Sequence, residues 1–137
     1  MDNCVILSLR PQYAAAIIDG SKTVELRRRF TNRPVVLALI YVSKTDKAIT
    51  ARAVVKKVEK LPVSSLWRIA RDTAAVSRGE FDRYLHDIEI GYAITLGRIE
   101  MQRRPVTLTE LLARFDLRPP QSFMFAPRSL VRRAAKR

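Results

Sequence analysis

The sequence is poor in the residues that staple, coordinate or span. Its 137 residues hold one cysteine, one histidine, one tryptophan and four glycines. With Cys4 alone, no internal disulfide can form, and the chain reads as one made for a reducing, cytoplasmic setting. With His86 alone, a nuclease built on a histidine pair and a multi-histidine metal site are both excluded. No P-loop and no dinucleotide-binding glycine pattern occurs, so no cofactor and no structural metal are expected. No apolar run approaches the roughly 20 residues that cross a bilayer. The longest, Pro34 to Val42, has strand length and is rich in β-branched residues. Met1-Asp2-Asn3-Cys4 lacks the basic start of a secretory signal.

Acid is scarce as well. Thirteen Asp and Glu face 26 Lys and Arg, a net charge of +13. Such an excess concentrates polyanions by long-range attraction, and each phosphate contact releases counterions. Nucleic acid, RNA above all, or a nucleotide or nucleoside is the expected partner. An anionic membrane is not, because no long basic amphipathic helix is present.

Hydrophobic residues make up 47% of the chain, enough for one modest core. Val5 to Leu9 reads as a buried strand. Pro11 suits the first turn of a helix that carries Ala14, Ile17 and Ile18 on one face and ends at Gly20. Thr23 to Arg29 alternates Val24 and Leu26 with Glu25 and Arg27, the pattern of a half-buried strand. Val35 to Val42 and Ala48 to Glu59 predict two more strands, joined by the polar turn Lys44 to Lys47. Pro62, Ser64 and Ser65 open a helix with Leu66, Trp67, Ile69 and Ala70. Ser77 and Glu80 have capping-box spacing ahead of Phe81, Tyr84 and Leu85, as do Thr107 and Glu110 ahead of Leu111, Leu112 and Phe115. Tyr92 to Met101 predicts a long strand, and Phe123 to Phe125 should pack back on the domain. Residues 1–127 then form one α+β domain. Residues 128–137 form a basic tail, with five positive charges and little to order it, though Leu130 and Val131 could extend a short helix.

One constellation stands apart. Gly20-Ser21-Lys22-Thr23-Val24-Glu25-Leu26-Arg27 has the form G-x-K-x-x-E-x-R. Glycine permits a sharp exit from the helix. Lys22 falls in a connector, placed to reach an anion. Glu25 and Arg27, two apart on a strand, share a face, and a carboxylate beside a guanidinium is held in one orientation. A surface ion pair is the plainer reading of the same residues. Between a strand–helix pair and a following strand, this pattern resembles the signature of the ASCH family. Ser8 to Tyr13, Gly91 to Ile99 and Arg118 to Phe123 resemble that family too, so the likeness runs from about Val5 to Phe125.

The resemblance implies a PUA-like mixed or antiparallel β-barrel of about five to six strands flanked by helices. It also implies an RNA- or nucleic-acid-binding, regulatory role for a basic groove between the first helix and the barrel. Arg10, Tyr13, Lys22, Glu25, Arg27, Arg28, Arg29, Arg33 and Tyr41 are its candidate binding residues. Arg28, Arg29 and Arg33 read either as a phosphate rail or as a solvated loop, and Tyr13 and Tyr41 either as stacking faces or as half-buried aromatics. Catalysis is the other reading, with Lys22, Glu25 and Arg27 as the catalytic set of a ribonuclease. A branch of the family resembles an amidohydrolase of N4-acetylcytidine, with a threonine three residues after the motif lysine and a glutamate ahead of a helix. Here that position holds Glu25, and Asp72 to Ser77 contains no glutamate, so deacylation is the weaker expectation.

Overall fold

The structure is a computed structural model and describes residues 3–135. In chain order the elements are β1 (Cys4–Leu9), α1 (Pro11–Asp19), β2 (Val24–Arg27), β3 (Leu37–Val42), β4 (Ala48–Pro62), α2 (Val63–Thr73), α3 (Arg78–Tyr84), β5 (Ile90–Thr107), α4 (Leu108–Phe115), β6 (Phe123–Phe125) and α5 (Arg128–Ala135). All six strands belong to one sheet in the order β2-β5-β4-β3-β1-β6. β1 runs parallel to β3, with Val5 opposite Ala38, and the other pairs are antiparallel. The sheet is curled into a half-barrel and flanked by helices, the α+β architecture that the sequence predicts.

The curl comes from the long β4–β5 ribbon. Its register slips between Ile49 and Ala51, between Ala53 and Val55, and between Val55 and Lys57. Each slip bends and twists the strand it sits in, so one ribbon serves two walls. Both faces of the sheet are covered, which is why β1 is apolar without alternation from Cys4 to Leu7. On the concave face Val5, Leu7, Ile40 and Ile94 pack with Ala14 and Ile17 of α1. On the other face Ile6, Leu39 and Ile49 meet Leu111 of α4 and Leu130 of α5. A third cluster joins Val24, Leu26 and Ala93 to Leu66, Phe81 and Leu85 of α2 and α3.

Local signals behave as expected at α1 and α3. Gly20 caps α1 at φ +88°, and its N–H donates to the Ile17 carbonyl. Ser77 and Glu80 form a complete capping box, at 3.1 and 2.9 Å. The strands Ala48 to Glu59 and Tyr92 to Met101 prove longer than their patterns predict, because each pairs with the other to its end. The β2 strand is not half-buried: all four of its residues are buried.

The basic C-terminal segment takes up the short helix that Leu130 and Val131 allow. Arg128–Ala135 is helical, and its Leu130, Val131 and Ala134 are buried against α4 and β1 residues; Lys136 and Arg137 lie outside the described residues. Thr107 accepts from the Glu110 N–H, but the Glu110 carboxylate is diverted from the capping box. It accepts from Arg133 Nε at 2.8 Å and from Arg114 at 3.0 Å, clamping α5 to α4. The Arg133 hydrogen bond, ahead of the other contacts, lowers the Glu110 pKa from its usual 4.5. A carboxylate with a depressed folded pKa stabilises fully above its unfolded pKa, and the stabilisation is lost as pH falls through the folded value. Glu110→Gln should therefore lower Tm at neutral pH. Its deficit against wild type should close as pH drops below 4.5, in thermal unfolding followed across that range.

Candidate functional site

The motif residues converge inside the half-barrel. The connector after α1 is pinned on both sides: the Lys22 N–H donates to the Ala16 carbonyl at 3.0 Å and the Thr23 N–H to the Thr73 carbonyl at 2.7 Å. Lys22 is therefore turned inward and is 3% exposed, not free to sweep solvent as its connector position suggests. Its Nζ donates to the Ala74 carbonyl at 2.7 Å, lies 3.2 Å from Glu25 Oε1, and stands 5.5 Å from the centre of the Tyr13 ring. Glu25 Oε2 lies 2.9 Å from Arg27 Nη2 as an ion pair. Arg27 Nη1 donates to the Ser122 carbonyl and hydroxyl at 3.2 and 2.9 Å, and Nη2 donates to the Ser8 carbonyl at 3.1 Å.

This chain of contacts closes the half-barrel. β2 and β6 are the two edges of the sheet, and no backbone ladder joins them. Arg27, on β2, reaches the residue just before β6 and the neighbouring strand β1. A guanidinium thus does the work of a missing ladder. Two cations share one carboxylate, so the cluster carries a net positive charge, softened only by the Ala74, Ser122 and Ser8 carbonyl dipoles. Arg27 Nε is buried without a hydrogen-bond partner.

Beside the cluster opens a cleft of about 410 Å³, lined by Arg28, Arg29, Tyr84, Ile88, Ser122 and Phe123. Arg28 frames it by donating to the Tyr84 and His86 carbonyls at 2.8 and 2.9 Å and to Asp87 at 2.9 Å. The hydrogen bond from Arg28 is the main reason that the Asp87 pKa is lowered. Arg29 is exposed and meets no carboxylate among the described residues. Tyr84, in the helix expected after Ser77, is 42% exposed. Protein packed around its phenol raises its pKa, with Arg27 opposing and Glu25 reinforcing the shift. The hydroxyl therefore stays protonated at neutral pH. The cleft offers cations, a hydroxyl from Ser122, a phenol and the face of Phe123, the set that an unstacked nucleotide requires.

The other candidates scatter. Arg10 is exposed at the start of α1, outside the lining of this cleft. Tyr13 is half-buried under Lys22. Arg33 belongs to a neighbouring cleft, its guanidinium 3.9 Å above the Phe125 ring. Tyr41 is 5% exposed among Ile6, Leu39 and Ile49 on the opposite face, so its ring is packed rather than offered for stacking. Cys4 is fully buried, and burial pushes its thiol up to about 12. Tyr84 and Phe123 line the cleft without having been singled out from the sequence, Phe123 while packing back on the core as expected. Each lies beside apolar neighbours and carries the same pattern as core. Among the described residues no three potential metal ligands gather. None of the described helices is long and apolar enough to cross a membrane.

Comparison with known proteins places the chain. The model of the ASCH domain matches residues 7–100. The chain belongs to the ASCH family. An ASCH domain-containing ribonuclease of Zymomonas mobilis is 32% identical over 120 residues, which span 85% of this chain and 80% of that relative. A crystal structure of an ASCH protein from Zymomonas mobilis superposes with a TM-score of 0.87 at 27% identity, covering 97% of this chain and 94% of the other. A mutant form of that protein gives 0.88 at 26% identity, covering 98% and 95%. The N-terminal domain of Staphylothermus marinus McrB, with a TM-score of 0.61 at 10% identity, shares the fold alone. In this ASCH domain the family motif is a buried brace, and the open surface lies beside it.

Proposed function

We propose that this ASCH domain binds single-stranded RNA in the cleft between β2, the end of α3 and the segment leading into β6. The observation that carries the reading is the convergence of Arg29, Tyr84, Ser122 and Phe123 on one cleft next to the positively charged brace. Phosphates meet the cations, and a base can stack only when it is unpaired. The net charge of +13 adds affinity for any polyanion.

Cleavage is the second reading, favoured by the ribonuclease named among the relatives. The ribose 2′-hydroxyl gives up its proton to water as its oxygen bonds to phosphorus, and the bond to the 5′-oxygen breaks as that oxygen gains a proton. In this reading the protonated Tyr84 phenol gives that proton, and Arg29 stabilises the charge that develops on phosphorus-bound oxygens. Deacylation of a nucleoside draws less support, because Lys22 is already engaged by Glu25 and the Ala74 carbonyl. Tyr84→Phe keeps the ring and removes the proton. Labelled single-stranded RNA should bind this variant as wild type does and be cut about 100-fold more slowly, the general-acid contribution. Equal cutting by both would remove Tyr84 from the chemistry. No cutting by wild type would leave binding alone.

A further inference from the structure

A second cleft, of about 340 Å³, lies on the far side of Phe30, with Asn32, Arg33, Val58, Lys60 and Tyr92 in its lining. The Phe30 ring is 4.7 Å from Phe123, in the first cleft, and 6.3 Å from Tyr92, in the second, measured between centres. One aromatic ring thus touches a lining residue of each cleft. Lys60 faces Tyr92 across the β4–β5 ladder, its Nζ 5.9 Å from the ring centre. Its neighbour Glu59 is turned to the other face of β4, where it lies 3.4 Å from Lys57. Lys60 accordingly meets no carboxylate among the described residues. Arg33, its guanidinium 3.9 Å from the centre of the Phe125 ring, adds positive charge to the rim. Val58 and Tyr92 supply an apolar floor, and Asn32 an exposed amide that both donates and accepts.

From this adjacency we infer that the second cleft is a subsite for the next nucleotide of the same strand, with Lys60 on its phosphate. The inference rests on the RNA reading of the first cleft and extends it: the ligand is a run of unpaired nucleotides that crosses Phe30, not a single nucleotide. A base over the Val58–Tyr92 floor and a phosphate at the Lys60 rim match the division into apolar floor and cationic edge. The unpaired Lys60 is what gives the cleft its preference for an anionic chain over a neutral one.

The test is affinity against length, with uridine 5′-monophosphate and oligouridylates of two to six nucleotides, whose bases stack little. Wild type, Lys60→Ala and Arg29→Ala are compared, with thermal unfolding as the fold control; both side chains are exposed. Wild type should gain affinity as the strand lengthens past one nucleotide. Lys60→Ala should keep the mononucleotide affinity and lose about three- to ten-fold on the longer strands, with the salt dependence shallower by about 0.7 in log–log slope. If Lys60→Ala matches wild type at every length while Arg29→Ala fails to bind, the second cleft is no subsite and the first cleft stands. If wild type binds no strand of any length, both readings fall together.

Discussion

Glu25→Ala should cost the fold about 3–5 kcal/mol and lower Tm by roughly 10–20 °C. The reason is asymmetry. Glu25 is the single carboxylate between Lys22 and Arg27, and all three side chains are nine-tenths or more buried. Its removal strands two cations without an anion, and the desolvation of each goes uncompensated. The loss is also topological, because Arg27 is oriented by Glu25 Oε2 while it bridges to Ser122 and Ser8. Freed from that anchor, the guanidinium no longer holds β2 against the β1–β6 edge. Thermal and urea unfolding of wild type and Glu25→Ala check this. A loss within about 0.5 kcal/mol, the usual scale for an exposed substitution, would mean that the pair behaves as a surface ion pair after all. Loss of RNA binding in Glu25→Ala would report collapse of the cleft wall and would not make Glu25 a contact.

Tyr84→Ala combined with Arg29→Ala should do the reverse: keep the fold and lose RNA. Removal of one stacking ring from a single-strand site costs roughly 1–3 kcal/mol. Loss of a phosphate-contacting arginine adds a salt-dependent share. Together they predict a loss of affinity of about 100-fold, with Tm unchanged within a few degrees. Both side chains are exposed, and the contact that Tyr84 gives to the frame is its backbone carbonyl to Arg28, which alanine retains. Fluorescence anisotropy with a labelled single strand measures the effect. Duplex RNA should compete poorly, because its stacked bases cannot enter between Tyr84 and Phe123.

Much of this architecture is legible in the sequence, and the limits are physical. The apolar run at Val5–Leu9, Gly20 after α1 and the Ser77–Glu80 pair each report a local rule, and each is obeyed. The two-residue period of β2 places Glu25 and Arg27 on one face. It does not say whether that face looks out or in, since burial is decided by α1, by the end of α2 and by Ser122, which is 95 residues beyond Arg27. The same blindness hides Tyr84, whose place three residues after Phe81 resembles a core position. In the C-terminal segment charge masks pattern. Leu130, Val131 and Ala134 have helical spacing, but the arginines around them suggest a solvated tail, and only the Glu110 contact across 23 residues shows where one of them goes.

The central claim is that the open cleft, and not the buried motif, meets RNA. The most direct measurement is single-strand RNA binding across a salt series for wild type and for the Arg29→Ala/Tyr84→Ala double variant. Wild type should bind tightly at near-physiological salt. The double variant should keep its Tm and show a shallower salt slope and an affinity about 100-fold weaker. Binding that is equal in the two proteins, with both folded, would contradict that claim and move recognition away from this cleft.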